Sequence, residues 1–151
     1  MTEQEERASV VAEARTWIRT PYHPQGRLKG IGVDCAMLPA EVYAACGLIE
    51  HVDAGNYSPM WHLNRRTELF LQTVEKYARR VESPLPGDMV IYKFGQAFAH
   101  GAIVLDWPII VHAVLNLSVI EDDGTSPVLE IDPRHGAREH VFYRLKQWGD
   151  A

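Results

Sequence analysis

The sequence predicts an α+β fold in which N-terminal helices pack on a C-terminal antiparallel β-sheet. Two observations lead to this prediction. Up to about residue 80, apolar residues recur at helical spacing, whereas from Pro84 onward they come in short runs, rich in valine and isoleucine, between turn residues. Helices followed by strands are typical of α+β domains. The length of 151 residues predicts one domain that spans residues 1–151.

Three helices are predicted. The first covers residues 2–18 and ends before Pro21, because the residue before a proline avoids the α region. The second covers residues 35–45 and stops at Gly47, a favourable residue just past a helix end. The third covers residues 67–80, and its last turn holds an arginine pair that suits the helix dipole.

Six strands are predicted, three of them strong and three weaker. The strong ones are residues 89–92, 100–105 and 109–114, and the weaker ones are 118–121, 128–131 and 141–145. Asp106-Trp107-Pro108 is the predicted turn between the second and third. Folding the chain there places His100 and His112 opposite one another or one position off register, and we expect both on one face of the sheet.

The composition limits the partner classes. The net charge is −5, the pI is near 5.8, and lysines and arginines form no stripe, so we expect no nucleic-acid partner. No apolar run approaches the roughly 18 residues that span a bilayer, so no membrane insertion is expected. Residues 1–7 lack the apolar region of a signal peptide. We therefore expect the protein to be made in the cytoplasm and to rely on something other than its own leader for any export.

Cys35 is the candidate nucleophile. Asp34 is a good N-cap, which would make Cys35 the first residue of a helix. Unsatisfied N–H groups and the helix dipole favour a thiolate at that position. Cys46, between Ala45 and Gly47, is typical of a structural cysteine. Because about 16 Å of helix would separate the two thiols, both are predicted to be free.

Cys35, His100 and His112 together have the chemistry of a nucleophile, a base and an orienting group. Cys35 would attack a carbonyl carbon, His100 would take the thiol proton and return it to the leaving amine, and His112 would hold the His100 ring. The N–H of Cys35 could donate to the oxyanion. No cofactor is expected. A zinc site made of the same three residues stays open as an alternative, although a lone cysteine is a weak zinc signature.

Five short motifs carry a family resemblance. In chain order they are Thr20-Pro21-Tyr22, Gly32-Val33-Asp34-Cys35, Pro86-Gly87-Asp88, His100-Gly101 and His112. Over most of the chain this order resembles the NlpC/p60 family of cell-wall cysteine peptidases, and it implies their papain-like arrangement. Residues 56–63 are similar to a segment of the phage tail and gene-transfer-agent branch of that family.

The resemblance implies roles for five residues. Carried over by position, Cys35 is the nucleophile, His100 the base and His112 the third polar residue, while Tyr22 and Asp34 lie in the substrate-binding or oxyanion region. The implied activity is hydrolysis of peptidoglycan stem peptides, at the bond between γ-D-glutamate and diaminopimelate. The implied partners are phage tail-tip proteins, and the implied place of action is the cell wall.

The chain departs from the family pattern just after the cysteine. The family often has Ser-Gly where this chain has Ala36-Met37, and Pro39 is unusual so early in the helix. These departures leave the proposed catalytic residues in place but bear on substrate contacts. They keep open an alternative from another class, a structural tail-tip module that has the same fold and no useful turnover.

Overall fold

The computed structural model describes residues 1–52, 63–94, 97–128 and 139–149. Within these ranges the chain forms three helices and eight strands. They are α1 (Glu3–Thr16), β1 (Arg27–Leu28), β2 (Gly32–Val33), α2 (Met37–Ala45), α3 (Leu63–Tyr77), β3 (Ala78–Val81), β4 (Met89–Phe94), β5 (Ala97–Asp106), β6 (Ile109–Ala113), β7 (Val119–Asp123) and β8 (His140–Leu145). No helix in the described ranges is long and apolar enough to cross a bilayer.

The main sheet has six antiparallel strands in the order β3-β8-β4-β5-β6-β7, and β1 and β2 form a separate hairpin. Alternate residues of the central strands divide between two apolar clusters, because successive strand residues point to opposite faces. Ile91, Ile103 and Val111 pack with residues of the three helices, whereas Val104 and Ile110 lie in the cluster on the other face. The predicted α+β fold is therefore confirmed.

Helix α1 begins where its sequence predicts. The Thr2 hydroxyl accepts a hydrogen bond from the Glu5 N–H, and the Glu5 carboxylate accepts one from the Thr2 N–H, which completes a capping box. Val10 and Ala14 on its inner face are fully buried. This face packs against α2 and β5.

Both predicted bounds of the third helix, residues 67 and 80, are wrong. Helix α3 begins at Leu63 and ends at Tyr77. Arg79 and Arg80 then belong to β3, which pairs with β8. A strand of alanine, two arginines and valine has no strong β signal of its own, and its pairing partner lies more than sixty residues away in the sequence.

Strands β4 to β8 lie close to their predicted positions, whereas the short strands β1 and β2 were not predicted. Two predicted segments cannot be placed. The segment 129–131 lies outside the described residues, and Val128 follows β7 without belonging to a strand. Residues 56–62, which carry most of the tail-branch resemblance, also lie outside the described ranges.

Gly101 lets α2 approach the sheet closely. A Cβ atom at this position would lie 3.3 Å from Cγ of Pro39 and 3.4 Å from the carbonyl oxygen of Cys35. Pro39 has no N–H, so it cannot donate to that carbonyl as a helical residue normally would. The glycine after His100 therefore allows the turn that carries Cys35 to pack on β5.

A buried charge cluster surrounds the Pro86-Gly87-Asp88 motif. Asp88 is fully buried, and its carboxylate accepts hydrogen bonds from Arg7 at 2.9 Å and from two nitrogens of Arg144 at 2.9–3.2 Å. The Leu85 N–H donates to the same carboxylate at 2.8 Å. Because Arg7 lies on α1 and Arg144 on β8, Asp88 connects the first helix to the last strand.

Replacing Asp88 with asparagine should strongly destabilise the fold. The substitution removes the charge that faces Arg7 and Arg144 and leaves two guanidinium groups buried. We expect the free energy of unfolding to fall by about 3–5 kcal/mol, the range for losing one partner of a buried ion pair. Urea denaturation followed by circular dichroism measures the change. Asp106→Asn, at an exposed aspartate that ends β5, is the control, and an equally small loss in both variants would contradict the prediction.

Candidate active site

The turn that carries Cys35 is organised by the buried carboxylate of Asp34. Oδ1 accepts hydrogen bonds from the N–H groups of Ala36 and Met37 at 3.1 and 2.8 Å, and Oδ2 accepts one from the Gln25 N–H at 2.8 Å. The first helical hydrogen bond runs from the Leu38 N–H to the Asp34 carbonyl. Asp34 therefore caps the turn that precedes α2 and ties the preceding loop to it, while the N-cap position of α2 itself is Ala36.

The helix itself begins at Met37, two residues later than predicted, so Cys35 lies in the turn before it. The N–H groups of Ala36 and Met37, which would otherwise favour an anion at the helix start, already donate to Asp34. Less of the helix field is then available to a thiolate at Cys35. A thiolate at Cys35 would therefore require a neighbouring base more than the sequence alone predicts.

The Cys35 thiol lies between the sheet and the loop that carries Tyr22. Its Sγ is 3.8 Å from the carbonyl oxygen of Ala99 and 4.0 Å from the Tyr22 hydroxyl. The register between β4 and β5 pairs Tyr92 with His100 and Lys93 with Phe98, so Ala99 is the extra residue of a bulge. The half-buried thiol thus contacts the residue that immediately precedes His100.

Tyr22 reaches this position because its backbone is held on two sides. Its N–H donates to the Leu117 carbonyl at 3.3 Å, and the residue forms a parallel bridge with Val33 of β2. Both Tyr22 and Cys35 are therefore positioned from the same small hairpin. The structure places the tyrosine hydroxyl beside the thiol, as expected for a residue that lines the site.

His100 and His112 form a direct hydrogen-bonded pair. Nε2 of His100 lies 2.7 Å from Nδ1 of His112, the rings are nearly perpendicular, and both side chains are buried. The predicted register was wrong, because β5 and β6 pair Ile103 with Val111, which puts the two histidines two positions apart along the strands. A shift of two residues keeps both side chains on one face, so the pair still forms.

Asp122 extends the pair and was missed by the sequence analysis. Its Oδ2 lies 2.9 Å from Nε2 of His112 and also accepts the Val128 N–H at 2.9 Å, while Oδ1 accepts the Asp123 N–H at 2.8 Å. The predicted strand ended at residue 121, one position short. The signal that could have found Asp122 is the alternation in β7, which puts it opposite Ile110 on the face that also carries His112.

The surroundings keep the Asp122 carboxylate charged. Burial by itself would raise the pKa of Asp122, but hydrogen bonds from His112, Val128 and Asp123 outweigh it and lower that pKa below its ordinary value. An ionised carboxylate can only accept hydrogen bonds. The proton between His112 and Asp122 therefore belongs to Nε2 of the histidine.

The buried ring of Tyr92 lies beside the ring of His100. It pairs with His100 across β4 and β5, the two ring centroids are 6.3 Å apart, and its hydroxyl donates to the Gly124 carbonyl at 2.7 Å. Burial, followed by the charges of Asp122 and Asp123, raises the pKa of Tyr92. Its hydroxyl is therefore a fixed donor rather than a proton acceptor at neutral pH.

The zinc alternative does not fit this arrangement. Nε2 of His100 and Nδ1 of His112 face each other at 2.7 Å, and the other nitrogen of His112 faces Asp122. Neither nitrogen of His112 is then directed at a centre shared with Cys35. Within the described ranges, no three histidine, cysteine, aspartate or glutamate side chains are grouped so as to hold a metal ion.

Cys46 has a different environment from Cys35. It follows α2, its thiol lies 3.6 Å from the Ser9 hydroxyl, and it packs against the helical core. Burial raises the pKa of the Cys46 thiol. Both cysteines are free, as predicted, and Cys46 is an internal reference for the reactivity of Cys35.

Comparison with solved structures identifies the fold. The NlpC/p60 domain of the peptidoglycan hydrolase SagA is 24% identical, with a TM-score of 0.54, and the match covers 78% of this chain and 88% of that one. The P60 domain of an antigen from M. avium subspecies paratuberculosis is 14% identical, with a TM-score of 0.57 and coverage of 96% and 98%. NlpC1 from Trichomonas vaginalis is 12% identical, with a TM-score of 0.62.

The match to the Trichomonas protein covers 95% of this chain but only 46% of that chain. No protein-family model and no curated protein matches the sequence. Identities at this level establish the fold rather than the activity. This chain has the fold of the NlpC/p60 domains.

Proposed function

We propose that this protein is a cysteine endopeptidase that hydrolyses peptidoglycan stem peptides. The observation that carries the proposal is the placement of the half-buried Cys35 thiol against Ala99, next to a buried His100–His112 pair joined at 2.7 Å. This placement supports the assignment of Cys35, His100 and His112 as nucleophile, base and orienting group. The similarity in fold to a domain of a peptidoglycan hydrolase supports the choice of substrate.

The proposed reaction follows from the roles of the three side chains. His100 takes the proton of the Cys35 thiol, and the thiolate attacks the carbonyl carbon of the scissile amide. The N–H of Cys35 donates to the oxyanion, and Tyr22 lines the site 4.0 Å from the sulfur. His100 returns its proton to the leaving amine, and water then hydrolyses the thioester to regenerate the thiol.

The finer proposals rest on the motif resemblance. The bond cleaved is that between γ-D-glutamate and diaminopimelate, and the partners are tail-tip proteins of a phage or prophage. An enzyme borne on a tail would open the wall locally and would be carried there by the virion. Residues 56–63 support this branch by their sequence similarity alone.

Digestion of purified sacculi tests the proposed function. Wild-type protein should release soluble stem-peptide fragments whose masses identify the bond cleaved, and Cys35→Ala should release none. Intact stem peptides after prolonged incubation, with Cys35 shown to be reduced, would overturn the proposed activity.

A structural tail-tip module is the second candidate. The observation that favours it is the departure from the family pattern at Ala36-Met37, where Met37, the first residue of α2, is buried in the core. Such a module would keep the fold and the buried histidine pair without turnover. Thiol reactivity separates this candidate from an enzyme.

Cys35 should react with iodoacetamide at least about tenfold faster than Cys46 at neutral pH. A neighbouring base raises the thiolate fraction of Cys35, whereas burial raises the pKa of Cys46 and lowers its thiolate fraction. The two rates are measured by peptide mapping of a time course, and His100→Ala should slow only Cys35. Equal, slow labelling of both cysteines would favour the structural module.

A further inference from the structure

Asp122 ends a continuous line of polar contacts that starts at the candidate base. The line runs from Nε2 of His100 to Nδ1 of His112 at 2.7 Å, and from Nε2 of His112 to Oδ2 of Asp122 at 2.9 Å. Three adjacent strands, β5, β6 and β7, contribute one residue each. His112 is 0% exposed and the Asp122 side chain 16% exposed, so this line lies largely out of solvent.

The carboxylate at the end of this line is itself held in place. Backbone N–H groups of Val128 and Asp123 donate to its two oxygens at 2.9 and 2.8 Å. Asp122 is therefore oriented independently of His112. A fixed acceptor determines which nitrogen of a neighbouring imidazole carries the proton.

We propose that Asp122 is a positioning residue that sets the tautomers of both histidines and leaves the lone pair of His100 on Nδ1. This proposal rests on the proposed function of the site. Asp122 accepts the proton of His112 Nε2, so in the neutral ring Nδ1 of His112 is an acceptor. That acceptor takes the Nε2–H of His100, and Nδ1 of His100 is left as the basic nitrogen.

Only in this tautomer can Nδ1 of His100 accept the thiol proton of Cys35. The proton leaves Sγ of Cys35 and bonds to Nδ1 of His100, which yields a thiolate and an imidazolium. The imidazolium keeps its Nε2–H hydrogen bond to His112. In the opposite tautomer Nδ1 of His100 already carries a proton, so it cannot accept the one from the thiol.

Nitrogen-15 NMR of the wild-type histidine rings, at mildly alkaline pH, reads the tautomers directly and independently of activity. We expect Nε2–H on both His100 and His112. In Asp122→Ala the acceptor of the His112 Nε2–H is lost, so neither ring is held in one tautomer and protons should appear on both nitrogens of each ring. Asp122→Glu should restore the wild-type pattern in part. Asp123→Ala is the matched control, because Asp123 is exposed and its side chain bonds Thr125.

Turnover on stem peptides provides the second readout. Asp122→Ala should lower kcat by at least about tenfold, up to the roughly 10⁴-fold found when an orienting aspartate is lost and the wrong tautomer forms. Wild-type His100 with its proton on Nδ1, or unchanged tautomers and kcat in a folded Asp122→Ala variant, would overturn the proposal. If the rings show the expected tautomers but the protein cleaves no stem peptide, the role of Asp122 in positioning the rings is supported. Only the proposed function is then overturned.

Discussion

Replacing either Cys35 or His100 with alanine is expected to abolish stem-peptide cleavage. The first change removes the nucleophile, and the second removes the only acceptor proposed for its proton. Because such residues act as a unit, adding His112→Ala to either variant should lower the rate little further. Rates are measured by release of soluble fragments from sacculi, and melting temperatures report whether each variant is folded.

Cys46→Ala is the matched control for the loss of a thiol. It removes the other cysteine, which lies beside Ser9 and away from the histidine pair, and it should retain wild-type turnover. Residual cleavage by Cys35→Ala at a substantial fraction of the wild-type rate would remove the thiol from the mechanism. If the rate losses of the single variants multiply in the double variants, the three residues act independently. That result would contradict their action as a unit.

Replacing His112 with alanine is expected to lower kcat by up to about 10⁴-fold, while asparagine should retain far more activity. Alanine leaves the Nε2–H of His100 without the acceptor now 2.7 Å away and removes the donor to Asp122. The amide oxygen of asparagine can occupy nearly the place of Nδ1 and accept the same hydrogen bond. Glutamine can also accept it, but its longer side chain fits this buried site less well.

The His112 series needs kcat, melting temperature and bound zinc for each variant. His112 is fully buried, so alanine should also lower stability, and only a kcat loss in the folded protein counts. Wild-type turnover in folded His112→Ala would leave a mechanism of Cys35 and His100 alone. Stoichiometric zinc in the wild type, lost together with activity in His112→Asn, would support the metal alternative instead.

The sequence predicted best those features that depend on contacts between residues close together in the chain. Thr2 and Asp34 are readable as caps because each hydrogen bond reaches only two or three residues along the chain. The shared face of His100 and His112 was predicted from a hairpin centred near residue 106, because residues equally distant from such a turn oppose one another. Their actual offset was not, because it depends on the irregular pairing at Asp106.

The features that the sequence did not predict depend on how the strands pair in the folded sheet. Strand β3 has a weak strand signal, and its partner β8 is remote in the sequence. Asp122 looks like a turn residue beside Asp123 and Gly124, and its contact with His112 exists only once β6 and β7 pair. The residues next to Cys35 in the sequence indicate a nucleophile, but its contact with Ala99 depends on a bulge in β5 that the local sequence does not predict.

Cleavage of a defined stem tetrapeptide, L-Ala-γ-D-Glu-diaminopimelate-D-Ala, tests the proposed chemistry most directly. Wild-type protein with reduced Cys35 should yield L-Ala-D-Glu and diaminopimelyl-D-Ala in equal amounts by mass spectrometry. Cys35→Ala should yield neither, and Cys46→Ala should yield both. Intact tetrapeptide after prolonged incubation with reduced wild-type protein, together with intact sacculi, would contradict a stem-peptide peptidase.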